Sequence, residues 1–182
     1  MKDDKIIIDD LIFEKYILEN DVYQRNVELS KELNDFYKDK NPLVIGVLNG
    51  CIYFMMDILN LCDFDYSVDF IRAKSYKGME STKLNIEYFS DKKLIENKYI
   101  LIVEDIIDSG KTISNIYKKL STCKPKNIKI ISLLSKVESV DEIDIDWCGF
   151  KIENKYVIGY GLDYNNLFRN LKDIYKLNEE EK

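Results

Sequence analysis

Histidine is absent from this chain, which removes the most common general base and metal ligand near neutral pH. Acid–base chemistry must therefore fall to carboxylates, lysines, tyrosines or cysteines. Proline and glycine are also scarce, with 2 and 7 residues among 182, so we expect no long disordered linkers. No apolar run approaches the roughly 20 residues of a membrane-spanning helix. The acidic stretch Met1–Asp4 lacks the apolar region of a signal peptide, so we expect a cytoplasmic protein.

A basic excess is missing as well. The chain has 27 lysines and arginines against 33 acids, a net charge of −6, and this argues against sequence-independent nucleic-acid binding, although a local basic patch is compatible with the total. The cysteines have no C-x-x-C spacing, so we expect reduced and mostly buried thiols, not a disulfide or zinc framework. The four are Cys51, Cys62, Cys123 and Cys148. The length fits one domain spanning residues 1–182.

Segments typical of strands alternate with segments typical of helices along the chain. Short apolar or strand-like runs lie at 43–48, 68–73, 99–103, 128–134, and near 147–150 and 156–159, and helical patterns lie at 22–38, 52–61 and about 113–120. This alternation predicts a parallel, right-handed α/β sheet with ligands at the carboxyl ends of its strands. The polar segment 74–83 has no useful period, and we interpret it as a mobile loop.

The most informative stretch is Val103-Glu104-Asp105-Ile106-Ile107-Asp108-Ser109-Gly110-Lys111-Thr112, which follows an apolar strand and precedes a helix. We predict a loop from Glu104 to Lys111. Its last five residues, Asp108–Thr112, can present backbone N–H groups at a helix N-terminus and so cradle a phosphate. Ionised carboxylates such as Glu104 and Asp105 accept hydrogen bonds from sugar hydroxyls. The plainer alternative is a strand-to-helix turn with a solvated acidic rim.

This string resembles the donor-binding signature of the type I phosphoribosyltransferases, and it is not a Walker motif because G-x-x-x-x-G-K-[ST] is missing. Further segments resemble the hypoxanthine-guanine phosphoribosyltransferase family in order and spacing. They are Val47–Gly50, Val68–Arg72 with Lys74–Tyr76, Ser132–Lys136, Gly149–Phe150, Tyr156–Tyr164 and Phe168–Leu171. The resemblance implies a type I phosphoribosyltransferase fold: a central parallel sheet flanked by helices, with a small hood formed by terminal segments and a flexible lid at about 74–83.

The resemblance also implies an enzyme of purine salvage. It would transfer phosphoribosyl from phosphoribosyl pyrophosphate to N9 of hypoxanthine or guanine, with Mg²⁺ as cofactor, giving IMP or GMP and pyrophosphate. Asp108 would hydrogen-bond the purine at N7 and manage its proton as N9 becomes nucleophilic. Lys136 would donate to the purine O6, which favours 6-oxopurines over adenine.

The implied binding residues fall into four groups. Phosphoribosyl would be bound by Glu104, Asp105, Asp108, Ser109, Gly110, Lys111 and Thr112. The purine would be bound by Lys136, Tyr156, Val157 and Asp163, with the Tyr156 ring stacked on the base. Pyrophosphate would be bound by Asn49, Gly50, Ser75, Tyr76 and Arg169, with Ser75 and Tyr76 closing over the reacting centre. Mg²⁺ would be bound by Asp163, Glu104 and Asp105, directly or through water.

One position departs from the family pattern, which usually has lysine where this chain has Asn49 and often has a cis peptide there. Asparagine removes a cation from the pyrophosphate loop. Other readings stay open: a sibling enzyme that uses xanthine, a regulatory protein that binds nucleotides or RNA, and a flavodoxin-like nucleotide-binding domain without catalysis. The resemblance further implies a homodimer or homotetramer. We expect no nucleic-acid or membrane partner.

Overall fold

The computed structural model of the chain describes residues 4–75, 84–88, 91–137, 139–140 and 143–178. The helices are α1 Glu19–Tyr37, α2 Ile52–Leu59, α3 Lys92–Ile95 and α4 Lys111–Ser121. The strands are β1 Lys5–Ile8, β2 Leu11–Ile17, β3 Leu43–Leu48, β4 Ser67–Ser75, β5 Leu84–Tyr88, β6 Tyr99–Ile107, β7 Asn127–Ser135, β8 Ser139–Val140, β9 Ile143–Asp144, β10 Trp147–Lys151, β11 Val157–Ile158 and β12 Ile174–Leu177.

The main sheet has six strands in the order β10-β7-β6-β3-β4-β5. The first five are parallel to one another, and β5 joins the edge antiparallel to β4. Helices cover both faces of this sheet. Neighbouring residues of a strand point to opposite faces, so each strand contributes to both packing clusters. Leu101 and Val103 pack in the cluster that contains α1 and α2, whereas Ile100 and Ile102 pack in the cluster that contains α4. The α/β class with a flanked parallel sheet is confirmed.

A second, antiparallel sheet has the order β1-β2-β12-β11 and joins the two ends of the chain. This sheet is the expected hood. The sequence predicts that the strand near residues 156–159 finishes the core, and Val157 does pack in the core cluster that contains α1 and α2. Its strand β11, however, pairs antiparallel with β12 in the hood and not with the parallel strands. Glu14 and Lys15 interrupt the apolar run of β2, so its pairing was not evident from local pattern.

Strand β6 continues through Ile107, so the predicted loop from Glu104 is wrong over its first four residues. Parallel pairing with β7 carries the strand forward, with Glu104 opposite Ser132 and Ile107 opposite Ser135. The two acids of the motif are therefore set by sheet geometry. This placement gives their carboxylates a fixed direction that a loop would not give.

The predicted lid at 74–83 lies largely outside the described residues. Its first two residues, Lys74 and Ser75, instead extend β4 and pair with β5. Tyr76, predicted to bind pyrophosphate, lies outside the described residues. Among the described residues, no helix combines the length and the apolar character needed to cross a membrane.

Candidate active site

The loop after β6 opens a cleft at the N-terminus of α4. Gly110 caps this helix in a left-handed conformation, with φ 75° and ψ −8°, which a side chain would disfavour. A cleft of about 120 Å³ lies over the loop and is lined by Glu104, Ile106, Ile107, Asp108, Ser109, Gly110, Thr112 and Ile113. Free N–H groups at a helix N-terminus favour an anion. The geometry therefore suits a phosphate group bound by the backbone of this loop.

Glu104 and Asp105 form a coupled acidic pair beside this loop. Glu104 is buried, and its Oε2 atom has no hydrogen-bond partner among the described residues. Burial raises the pKa of the Glu104 carboxyl well above its ordinary value, and the charge of Asp105 adds to the rise. Burial also raises the pKa of Asp105, opposed by a hydrogen bond from Glu104 and by the Ile106 N–H. A ligand's hydroxyl or cation at Glu104 Oε2 would therefore supply a partner that favours the ionised carboxylate.

Three segments that are distant in sequence stack in turn beside the acidic pair: Asp105 contacts Gly50, and Gly50 contacts Gly161. A Cβ atom added to Gly50 would lie 1.5 Å from Asp105 Oδ2, so a side chain there would force the Asp105 carboxylate to move. A Cβ atom added to Gly161 would lie 2.1 Å from the Gly50 carbonyl oxygen. The loop after β3, which contains a cis peptide between Leu48 and Asn49, is therefore held between the acidic pair and the segment after β11.

Lys136 directs its ammonium group toward Asp108. Its Nζ atom lies 3.4 Å from Asp108 Oδ2, and its side chain is only 10% exposed. Nζ also donates to Asn154 Oδ1 at 3.3 Å, a contact that the sequence analysis missed because Asn154 lies in a turn with no pattern of its own. The backbone of Lys136 is fixed by its N–H, which donates to the Ile107 carbonyl at 2.9 Å. A cationic donor is thus positioned beside the phosphate loop.

A second cleft, of about 200 Å³, adjoins the first and is lined by Asp105, Ile106, Asp108, Lys136, Tyr156, Val157, Leu162 and Asp163. Tyr156 is 46% exposed, so it lies at this cleft and is not a core tyrosine. Its hydroxyl donates to the Asp163 carbonyl at 2.8 Å, and its ring contacts Phe13 edge-on at 6.4 Å. The cleft offers an aromatic face, a cationic donor and a carboxylate to a flat polar ring.

Arg169 is held at the rim by two contacts. Its Nη2 atom lies 2.6 Å from Asp163 Oδ1, and its Nη1 atom donates to the Gly161 carbonyl at 2.6 Å. Asp163 also accepts from the Asn166 N–H at 2.8 Å. The guanidinium is therefore ion-paired in this state, and an incoming anion would compete with Asp163 for it.

The structure brings most of the predicted site residues to the two clefts or their rim. Asn49 is exposed on the loop whose Gly50 contacts Asp105. Ser75 ends β4. Sequence reasoning missed the residues behind the site, Tyr160 and Asp57. The only signal in the sequence for these residues was the Gly-Tyr-Gly triplet at 159–161, which is typical of an unusual backbone bend.

The carboxylates fit a hard cation chemically. Glu104 Oε2 is a buried oxygen without a partner among the described residues, and Mg²⁺ prefers oxygen ligands. Across the described ranges, no cluster of three or more candidate side chains could hold a metal ion unaided. Further ligands would have to come from phosphate or water, as is common for Mg²⁺.

The raised pKa of Glu104 gives a stability prediction. Below pH 4.5, the ordinary value of this group, Glu104 carries its proton in both the folded and the unfolded chain. As pH rises, the unfolded chain ionises first. The free energy of unfolding therefore falls until the pH passes the pKa of the folded chain. Glu104→Gln keeps a hydrogen-bond donor at this position but cannot ionise, so this pH-dependent loss of stability should be absent. We expect the variant to melt at least about 2 °C higher near pH 7, the shift that ~1 kcal/mol gives in a chain of this size.

Thermal melts across a pH series would measure this difference. The two melting curves should converge below pH 4.5, the ordinary value of the group. Glu32→Gln, on the exposed side of α1, is the matched control and should follow the unaltered protein throughout. Equal melting temperatures for Glu104→Gln and the unaltered chain near pH 7 would contradict the raised pKa.

Comparison with known proteins identifies similar chains over nearly the whole length. Residues 17–165 match the family model described as "Phosphoribosyl transferase domain". A hypoxanthine-guanine-xanthine phosphoribosyltransferase from Tritrichomonas foetus is 42% identical over 88% of this chain and 89% of its own. A hypoxanthine-guanine phosphoribosyltransferase from Streptococcus pyogenes is 37% identical over 89% and 91%. A crystal structure of a hypoxanthine phosphoribosyltransferase from Staphylococcus aureus superposes with a TM-score of 0.84 at 34% identity, covering 92% of both chains.

Proposed function

Because the chain belongs to the hypoxanthine-guanine phosphoribosyltransferases of the phosphoribosyl transferase domain family, we propose that it transfers phosphoribosyl from phosphoribosyl pyrophosphate to N9 of hypoxanthine or guanine. The products are IMP or GMP and pyrophosphate. The observation that carries this assignment is the joining of the two clefts at Asp108, with Lys136 Nζ 3.4 Å from its carboxylate. One cleft suits a phosphate and the other suits a 6-oxopurine.

The donor occupies the phosphate-loop side in this proposal. Backbone N–H groups and hydroxyls of Asp108–Thr112 bind the 5′-phosphate. Glu104 and Asp105 accept hydrogen bonds from the ribose 2′ and 3′ hydroxyls. Arg169, with Asn49, Gly50, Ser75 and Tyr76, binds pyrophosphate. Glu104 Oε2 gains a partner that the described residues do not supply, which contributes binding energy.

The base occupies the adjoining cleft. Lys136 donates to O6, Tyr156 stacks on the ring, and the backbone of Val157 and Asp163 reads the base edge. Adenine places an amino donor opposite the Lys136 donor, so a buried hydrogen bond is lost and adenine is rejected. Xanthine remains a second candidate, because a relative 42% identical to this chain is named for it and C2 recognition rests on backbone groups.

In the reaction, the bond between C1′ and the pyrophosphate oxygen breaks as N9 attacks C1′ from the opposite face. Asp108 hydrogen-bonds the purine at N7 and accepts the proton that the base releases. Glu104, Asp105 and Asp163 are the residues that would hold Mg²⁺, directly or through water; bound there, the ion would neutralise charge on pyrophosphate. Closure by the segment that contains Ser75 and Tyr76 would exclude water. Cytoplasmic location and dimeric or tetrameric assembly stay predictions.

The first test is to mix the protein with Mg²⁺, phosphoribosyl pyrophosphate and each purine base in turn, and to follow nucleotide formation. We expect product with hypoxanthine and guanine and none with adenine. Xanthine conversion would widen the specificity. Donor binding without product from any base would overturn the enzymatic proposal and support the regulatory alternative.

Asn49→Lys should strengthen donor binding. The side chain is exposed on the pyrophosphate loop, and an exposed ion pair contributes about 0.2–1 kcal/mol. We therefore expect the KM for phosphoribosyl pyrophosphate to fall by up to about fivefold at low ionic strength, with less gain at high salt. Initial rates at both salt levels measure this. Asn60→Lys, at the opposite end of α2, is the control; an identical KM for Asn49→Lys would show that the side chain has no role.

A further inference from the structure

Behind the pyrophosphate loop, the backbone makes an unusual bend. Gly159, Tyr160 and Gly161 all have positive φ, at 94°, 48° and 98°. Glycine adopts this conformation readily, but tyrosine does so only where the surroundings enforce it. Something in the packing must therefore hold Tyr160.

The Tyr160 side chain is held by a polar network that is buried on the Asn26 side and exposed at Asp57. The residue is 6% exposed, and its hydroxyl donates to Asp57 Oδ2 at 2.6 Å. The same hydroxyl accepts from Asn26 Nδ2 at 3.2 Å, and Asn26 is 1% exposed. Burial raises the pKa of Tyr160, and the bond to Asp57 adds to the rise, so the hydroxyl keeps its proton. The bend is thereby tied to α1 and α2 at once.

The bend in turn contacts both parts of the candidate pyrophosphate site. The Gly161 carbonyl accepts from Arg169 Nη1 at 2.6 Å, and the Gly161 N–H donates to the Arg169 carbonyl at 2.9 Å. The Cα of Gly161 packs directly on the Gly50 carbonyl. A shift of the bend would move both Gly50 and Arg169, whereas Lys136 is fixed separately through β7 and Ile107.

We propose that Tyr160 is a positioning residue for the pyrophosphate end of the donor: its hydroxyl, bonded to Asp57 and Asn26, holds the 159–161 bend and so orients Gly50 and Arg169. This inference rests on the proposed function. In this proposal Tyr160 does not contact phosphoribosyl pyrophosphate, so it acts only through the groups that the bend orients. Purine binding through Lys136 should depend on it less.

Tyr160→Phe tests this role because it removes only the hydroxyl. We expect the KM for phosphoribosyl pyrophosphate, and the KM for pyrophosphate in the reverse reaction, to rise about 3- to 10-fold, the scale of a lost hydrogen bond. The KM for hypoxanthine should change less than either, because Lys136 is held through β7 and Ile107 and not by the bend. Asp57→Ala, an exposed position on α2, should have the same selective effect. The double variant should be no worse than Tyr160→Phe alone, because Tyr160→Phe already removes the bond to Asp57.

Tyr37→Phe is the matched control. Tyr37 is fully buried, and its hydroxyl donates to the Ile100 carbonyl at 3.2 Å, near the start of β6 and away from the clefts. Both phenylalanine variants should melt at lower temperature, but only Tyr160→Phe should change the two KM values. If Tyr160→Phe loses thermal stability as Tyr37→Phe does while its KM values stay unchanged, or if all KM values rise together, the positioning role is wrong.

Calorimetric titration with pyrophosphate and with phosphoribosyl pyrophosphate separates this inference from the function on which it rests. If the unaltered chain binds both but forms no nucleotide, the proposed reaction fails, and a weaker Kd in Tyr160→Phe still supports positioning. If the unaltered chain forms IMP and Tyr160→Phe matches it in every constant, only the positioning role fails. If the unaltered chain binds neither compound, both proposals fail.

Discussion

Replacing Asp108 with asparagine is expected to lower kcat for IMP formation by about 10²- to 10⁴-fold, the range of a general acid–base contribution. The Asp108 side chain is 66% exposed in the cleft, with its carboxylate 3.4 Å from Lys136 Nζ. Asparagine keeps the shape but cannot take a proton. Because the chain has no histidine, no imidazole is available to replace it.

The KM for phosphoribosyl pyrophosphate should change little in Asp108→Asn, since the phosphate contacts come from backbone N–H groups of the loop. Steady-state rates with both substrates varied would separate the two constants. Asp65→Asn, an exposed aspartate before β4, removes the same charge away from the clefts and should leave both constants unaltered. Near-full turnover of Asp108→Asn with unchanged binding would remove Asp108 from the chemistry.

Replacing Lys136 with methionine is expected to lower kcat/KM for hypoxanthine by about 10- to 100-fold, because a hydrogen bond to a charged group contributes about 1.5–3 kcal/mol. Methionine retains most of the apolar stem, which matters because the lysine side chain is only 10% exposed. The kcat/KM for adenine should not fall. It should rise relative to the kcat/KM for hypoxanthine, because the donor that opposes adenine's amino group is gone. The preference for 6-oxopurines should therefore shrink.

Competition between hypoxanthine and adenine, at saturating phosphoribosyl pyrophosphate, measures this preference directly. Lys31→Met, on the exposed face of α1, is the control for loss of one positive charge and should keep the preference of the unaltered chain. If Lys136→Met also kept that preference, base selection would rest on groups other than Lys136, and the backbone of Val157 would be the next to test.

Several elements were predictable because their signals are local. Strand β3, Leu43–Leu48, has the predicted bounds, since an uninterrupted apolar run suits a strand buried on both faces. Helix α4 begins directly after Gly110, where the motif placed a helix N-terminus. The hood was expected only from the resemblance; its strands β1 and β2 pair with β12 from the other end of the chain, and pairing at that distance leaves little local trace.

The exposed position of Tyr156 likewise could not be predicted from the residues around it in sequence. Taken alone, a tyrosine in an apolar strand favours the core. It lies at the cleft because β11 joins the hood, and there its hydroxyl donates to the Asp163 carbonyl. The contact of Lys136 with Asn154 and that of Tyr160 with Asp57 also join segments with no shared pattern.

By itself, the sequence determined the α/β class, the strand-to-helix motif at Asp108–Thr112 and the chemical types present at the candidate site, because strand period, helix start and side-chain chemistry are properties of short segments. Only the tertiary structure decided which groups meet. The burial that raises the pKa of Glu104, the contact of Gly50 with Asp105 and the bend that holds Arg169 all depend on distances between remote segments. Those distances follow from packing of the whole chain, and no local pattern encodes them.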